Sequence, residues 1–176
     1  MRYRRATVGG GTYFFTVNLA DRDRALLTDH AAVLRDAIRT VKIRHPFEID
    51  AMVILPDHVH AIWTLPAGDA DYPTRWALIK AGFSRNLSPG ERRSRSRRGK
   101  GERGIWQRRY WEHQIRDDID LARHVDYIHY NPVKHGYVPR AADWPQSSIH
   151  RYIRVGLMTA DWGGDGVEDG KFGEQK

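Results

Sequence analysis

The sequence predicts an α+β domain of the ferredoxin-like, RNA-recognition-like kind: an antiparallel sheet in the order β-α-β-β-α-β-α, with helices packed on one face. Three observations lead there. Short β-branched and aromatic runs alternate with segments whose apolar residues recur at helical 3/4 spacing. The length of 176 residues suits one domain. No internal repeat divides the chain into the short periods of a solenoid or propeller.

Each element follows in order. After Gly9, Gly10 and Gly11, the run Thr12 to Leu19 is β-branched and aromatic, as a strand requires. Leu27, Leu34, Ala37, Ile38 and Val41 predict a helix over Thr28 to Arg44, capped by Thr28 or Asp29 and stopped by Pro46. Two further strands are expected, Phe47 to Leu55 and His58 to Leu65, joined at the turn Pro56-Asp57. Trp76, Ile79 and Phe83 predict a second helix over Thr74 to Asn86. Residues 88–104 are rich in Ser, Arg and Gly and are expected to form a mobile loop. A fourth strand is expected over Ile105 to Ile115. A third helix begins at Asp117-Asp118, carries Leu121, Val125 and Ile128 as its core stripe, and ends near Pro132. Residues 139–160 form a short elaboration. Residues 1–160 make the domain, and 161–176, with five Gly and scattered acids, are expected to be a disordered tail.

Composition narrows the function. With no Cys, disulfide scaffolds, zinc fingers, iron–sulfur proteins and thiol chemistry are excluded. No apolar run approaches the ~18 residues of a membrane span, and Met1-Arg2-Tyr3-Arg4-Arg5 lacks the apolar core of a signal peptide; a cytoplasmic protein is expected. The net charge is +7, and 23 of the 29 basic residues are Arg, whose planar fork suits phosphate. Residues 91–103 carry +5 and residues from Asp161 onward −3, so the rest of the chain is itself basic at +5. A polyanionic partner follows, nucleic acid first.

Two constellations carry chemistry. His58 and His60 project from one side of a strand, where two imidazoles can converge on a cation or serve as ordinary hydrogen-bonded strand histidines. In the last helix Tyr127 and Asn131, four apart, share a face, with Arg123 and His124 one turn earlier. A phenol beside a metal can attack a phosphate, and the Asn carboxamide can be a third ligand; a half-buried Tyr beside an Asn preceding Pro132 is the plain alternative. Tyr130 is a rival nucleophile on a nearby part of the helix.

Taken together these segments resemble the HUH class of single-strand DNA nucleases and transposases, and more narrowly the REP-associated tyrosine transposases. The similar stretches are Gly10 to Leu19, Val53 to Pro66, Ile105 to His113 with Ile115 and Arg116, and His124 to Gly136, in family order within about residues 3–163. The resemblance implies that His58 and His60 are metal ligands, that Tyr127 rather than Tyr130 is the nucleophile, and that Asn131 is the third ligand where related insertion-sequence transposases carry Gln. It implies cleavage and rejoining of single-stranded or hairpin DNA from repetitive palindromes through a covalent 5′-phosphotyrosine. Ligand softness favours a transition ion and cellular availability favours Mg or Mn; the expected cofactor is a divalent Mg or Mn ion. The Arg-rich stretch 88–104 is longer than the family pattern.

Around such a site Arg4, Arg5, Lys80, Arg108, Arg109, Arg116 and Lys134 are candidates for phosphate contacts. Trp63, Trp106, Tyr110 and Trp111 are candidates for base stacking, with a core role as the alternative for each. A monomer is expected, with a dimer as the alternative. Two rival functions remain open: a non-catalytic ferredoxin-like nucleic-acid-binding protein, and a metallohydrolase using a metal-bound water.

Overall fold

A strand that carries large apolar side chains at successive positions has two faces to bury. Thr12–Asn18 (β1) is such a strand, with Tyr13, Phe14, Phe15 and Val17 all fully buried. The computed structural model describes residues 8–91, 94–164 and 172. Along the chain follow Leu26–Asp29 (α1), Ala31–Arg44 (α2), Glu48–Ile54 (β2), His58–Thr64 (β3), Tyr72–Arg85 (α3), Arg95–Gly99 (α4), Trp111–Gln114 (β4), Asp118–Lys134 (α5), a 3₁₀ turn Ala141–Asp143 and Ile149–Arg154 (α6). The four strands form one antiparallel sheet in the order β2-β3-β1-β4. This is the ferredoxin-like arrangement expected, and β1 sits inside it.

Side-chain parity sorts the two layers. Tyr13, Phe15, Val17, Val59, Ala61 and Trp63 face α2 and α3. On that side Trp63 stacks on Trp76 at 4.2 Å between ring centroids and 16° between planes. Phe14, Ala51, Val53 and Ile62 face α5, meeting Val125, Tyr127 and Ile128. A register shift between Ile49 and Ala51 changes the parity of β2, so Ile49, Met52 and Ile54 serve the first layer while Ala51 and Val53 serve the second. The helices are therefore not all on one face: the expectation holds for the two crossover helices and fails for the last. Its physical reason lies in β1 and β3, whose apolar residues occupy both parities and so require cover on both sides.

Other boundaries also move. His30 separates α1 from α2. The fourth strand shrinks to Trp111–Gln114, because the chain makes only a bridge from Trp106 to Leu19 before Arg108 and Arg109 turn outward. Helix α5 is capped by Asp117, which accepts from the Asp120 amide, and continues through Pro132 to Lys134. Proline removes its own hydrogen bond there, and the His135 amide still reaches Asn131 O at 3.0 Å.

Residues 88–104 are not simply a loop. Ser94 caps α4, and the Arg103 guanidinium donates to both Glu91 carboxylate oxygens (2.7 and 2.8 Å), to Leu87 O and Ser88 O (2.6 and 3.0 Å), and to Ser84 O. Arginine has enough donors to close such a turn, and charge alone does not show which arginine will do so. After the 3₁₀ turn, residues 146–148 line the outer edge of β2: Gln146 O accepts from Ile54 N at 2.9 Å and Ser148 N donates to Met52 O at 2.8 Å. That covers an otherwise open sheet edge. The expected tail 161–176 lies largely outside the described residues. Among the described residues no helix is long and apolar enough to cross a membrane.

Candidate active site

His58 and His60 lie on the α5 side of β3 because they are two apart on a strand. Their rings are 4.8 Å apart, nearly perpendicular at 83°, and both residues are buried. Each Nδ1 has a partner. Asp57 Oδ1 accepts from His58 Nδ1 at 2.7 Å, and Asp57 Oδ2 pairs with Arg22 Nε at 2.5 Å. Burial alone would raise the Asp57 carboxyl; the hydrogen bond and charge of His58, joined by those of Arg22, outweigh it and hold it at about 2. A carboxylate in that position fixes the His58 proton on Nδ1.

Thr16 does the same for His60. The β1–β3 register sets Thr16 opposite His60, with Oγ1 2.9 Å from Nδ1. The Thr16 hydroxyl donates to Phe172 O at 2.7 Å, so its lone pair faces His60 and Nδ1 is the protonated nitrogen. Both imidazoles thus carry their lone pair on Nε2, one of the two nitrogens through which neutral histidine binds a metal.

Helix α5 brings the other half. Tyr127 is buried, its ring 5.2 Å from that of His60 and edge-on at 70°. Asn131 follows one turn later, fully buried. Lys134 Nζ lies 4.9 Å from the Tyr127 ring centroid. Tyr130 faces away, toward Trp162 at 6.4 Å. Two imidazoles together with a carboxamide oxygen would make a neutral N,N,O donor set of the kind that takes a divalent cation and leaves positions open for substrate oxygens. Sequence reasoning missed four neighbours. His135 sets its ring 5.4 Å from His58, Thr16 and Asp57 orient the imidazoles, and Phe172 stacks on Tyr127 at 3.7 Å and 19°. Asp57 was legible as the residue before His58; the others depend on contacts distant in sequence.

A second cluster adjoins the first. His113, Asp120 and His124 hold their ligand-type atoms within 4.8 Å of one another, a spacing compatible with a metal ion. They also bond among themselves: His113 Nε2 to Asp120 Oδ2 at 2.8 Å, and His124 Nδ1 to Asp120 O at 2.8 Å. Burial acts to raise the Asp120 carboxyl, but His113 and the Arg116 amide outweigh it and leave it lowered. Burial is also the main reason that His124 is lowered. Phe14 links the two clusters, with ring centroids 4.7 Å from His124 and 5.5 Å from His60.

The candidate DNA-contacting residues are scattered. Arg4 and Arg5 lie outside the described residues. Lys80 belongs to the opposite layer, donating to Gln107 O at 3.0 Å and lying over the Tyr110 ring at 5.0 Å. Arg108 pairs with Glu102 at 2.9 Å, and Arg116 reaches Asp120 at 3.3 Å. Arg109 is exposed, and Lys134 is beside Tyr127. Among the aromatics, Trp63 and Trp106 are core residues and Tyr110 packs against that core. Trp111 is 40 % exposed and stands in one cross-sheet row with Thr16 and His60, on the site's face.

No family model matches the chain. A REP-associated tyrosine transposase of Escherichia coli (strain K12) is 49 % identical over 173 residues, covering 98 % of this chain and 96 % of the relative. A relative in Haemophilus influenzae (strain ATCC 51907 / DSM 11121 / KW20 / Rd) bearing the same family name is 50 % identical over 165 residues, 93 % of each chain. A solved REP-associated tyrosine transposase bound to a REP hairpin superposes with a TM-score of 0.86 at 48 % identity, over 100 % of this chain and 98 % of that one. The likeness runs through every element that carries the histidines and the tyrosine, and the chain belongs to the family of REP-associated tyrosine transposases.

Proposed function

We propose that this transposase cuts and rejoins single-stranded DNA at repetitive palindromic hairpins, with Tyr127 as nucleophile and His58, His60 and Asn131 as the ligands of a Mg or Mn ion. The observation that carries this reading is the approach of Tyr127 to His60 across the sheet–helix interface, with both imidazoles in a metal-binding tautomer. The solved relative bound to a REP hairpin supports hairpin DNA as the partner.

The chemistry balances within the parts named. As the Tyr127 oxygen bonds to phosphorus it gives up its proton, and the P–O3′ bond breaks to leave a protonated 3′-OH. The downstream strand stays on Tyr127 through its 5′-phosphate. A later 3′-OH reverses the step and rejoins strands, since the phosphotyrosine keeps the diester's energy. A divalent ion, when bound, would offset charge on the phosphate oxygens. Asp57 and Thr16 hold the imidazoles for it. Lys134 adds a positive charge beside the reacting phenol. Lys134, Arg109, Arg116, Arg4 and Arg5 are assigned to phosphates and Trp111 to an unpaired base. Lys80 and Arg108, engaged within the protein, are assigned weaker contacts.

We assign residues 1–160 to one catalytic unit, acting as a monomer in the cytoplasm. The test is a labelled hairpin oligonucleotide and a denaturing gel. Wild type and Tyr130→Phe should yield a covalent protein–DNA band in Mg or Mn, whereas Tyr127→Phe and chelator-treated protein should not. A band of normal intensity from Tyr127→Phe would sink the assignment.

A further inference from the structure

Among the arginines of residues 94–108, some hold the protein together and others do not. Arg103 closes the segment onto Glu91 and the end of α3. Arg97 donates to Gly104 O at 2.5 Å. Arg108 joins Glu102 at 2.9 Å and Ser96 at 3.2 Å. Residues 91–108 contain two acids, Glu91 and Glu102, and these contacts engage both. Arg95, Arg98 and Lys100 remain exposed on α4 and its cap, with no ion pair among the described residues. Three cations are thus fixed on a short element with their own counter-charges engaged elsewhere.

The location of α4 matters as much as its charge. Just beyond it the chain bonds to the end of β1, with Gln107 N donating to Asn18 O at 3.0 Å and Trp106 bridging Leu19. Asn18 is paired with His58. The basic element therefore stands at the His58 end of the sheet, on the β4 side, where Arg109 and Trp111 are also exposed.

We propose that α4 is a phosphate clamp: Arg95, Arg98 and Lys100 bind backbone phosphates of the DNA that runs past the β4 edge from the strand held at Tyr127. The clamp rests on the DNA-cleaving reading above and extends its surface. A lipid surface is a poorer fit, because α4 (RSRRG) has no apolar residue to enter a bilayer. The Arg103 closure fixes the three cations before DNA arrives, which lowers the ordering cost of binding. Contacts of this kind position DNA and read no bases.

Fluorescence anisotropy on a hairpin with single-stranded flanks, titrated from about 50 to 200 mM salt, tests the clamp against general charge. Wild type is compared with Arg95→Ser/Arg98→Ser/Lys100→Ser and with Arg35→Ser/Arg39→Ser/Arg44→Ser, which removes equal charge from the exposed side of α2. Three lost phosphate contacts should flatten the log–log salt slope by about two units, so that the wild-type advantage shrinks ~15-fold across that salt range. The α2 variant should keep the wild-type slope. A wild-type slope in the α4 variant, or equal flattening by both variants, overturns the clamp. Adduct formation by the wild type is scored alongside; its absence would overturn the cleavage reading and leave the α4 comparison intact.

Discussion

Thr16 is one hydroxyl from being an ordinary core β-branched residue, and that hydroxyl decides which nitrogen of His60 carries the proton. Thr16→Val keeps the shape and leaves His60 Nδ1 without its buried acceptor, a cost of about 1–3 kcal/mol. If His60 is a ligand, the same change should weaken divalent-ion affinity about 10–100-fold, as loss of an orienting partner does. Thermal unfolding and a Mn titration followed by electron paramagnetic resonance measure the two effects. Unchanged Mn affinity would detach Thr16 from the site. That His58 and His60 share a face was legible from their spacing alone. That Thr16 orients one of them was not, because the pairing of β1 with β3 joins residues 44 apart. His135 escaped for a similar reason: only the end of α5 brings its ring to His58.

At the scale of elements, the segment around α4 shows what composition conceals. Ser, Arg and Gly predict a mobile loop, yet one guanidinium binds five acceptors and shapes the whole stretch. Composition counts arginines and does not distinguish the one that finds Glu91. The hydrogen bond from Arg103, the largest influence on Glu91, holds its carboxyl down at about 2. A carboxyl lowered on folding stabilises the protein above its ordinary value of 4.5, and that stabilisation fades as pH falls toward 2. Hydrogen exchange of residues 94–104 should therefore report loosening between about pH 4.5 and 2 in wild type. Glu91→Gln should be loosened already at neutral pH and show little further change over that window. A wild-type profile flat from pH 5 to about 2 would mean that the clasp does not hold the segment.

For the molecule as a whole, the sheet divides labour between its faces. One face is closed by α2 and α3 around the Trp63–Trp76 stack; the other carries both histidines and meets α5. Trp76→Ala should cost about 3–5 kcal/mol of stability, measured by urea unfolding, while the folded fraction keeps wild-type affinity for a hairpin. Loss of affinity in proportion to nothing but folded protein fits; a further loss would show the faces to be coupled. The succession of four strands and the three long helices α2, α3 and α5 along the chain was legible, because periodicity and turns are local; the short helices α1, α4 and α6 carry too few residues to show a period. The expectation of one helical face fails at α5, although β1 and β3 are apolar on both parities and so call for cover on two sides. Phe172 adds a consequence of its own. Its ring lies flat on Tyr127 and its carbonyl holds the Thr16 hydroxyl; if Tyr127 is the nucleophile, a DNA strand arriving at the phenol meets a rival already tethered to the same chain. Affinity for DNA is then a difference between two occupants, and the incumbent's hold enters every measured constant. Phe172→Ala should tighten hairpin binding and raise adduct yield by about 2–12-fold, the worth of one aromatic stack; an unchanged yield would mean the ring departs at no cost. The seat suits a planar ring, which is also the shape of an unpaired base: entry by DNA amounts to trading one stacked ring for another.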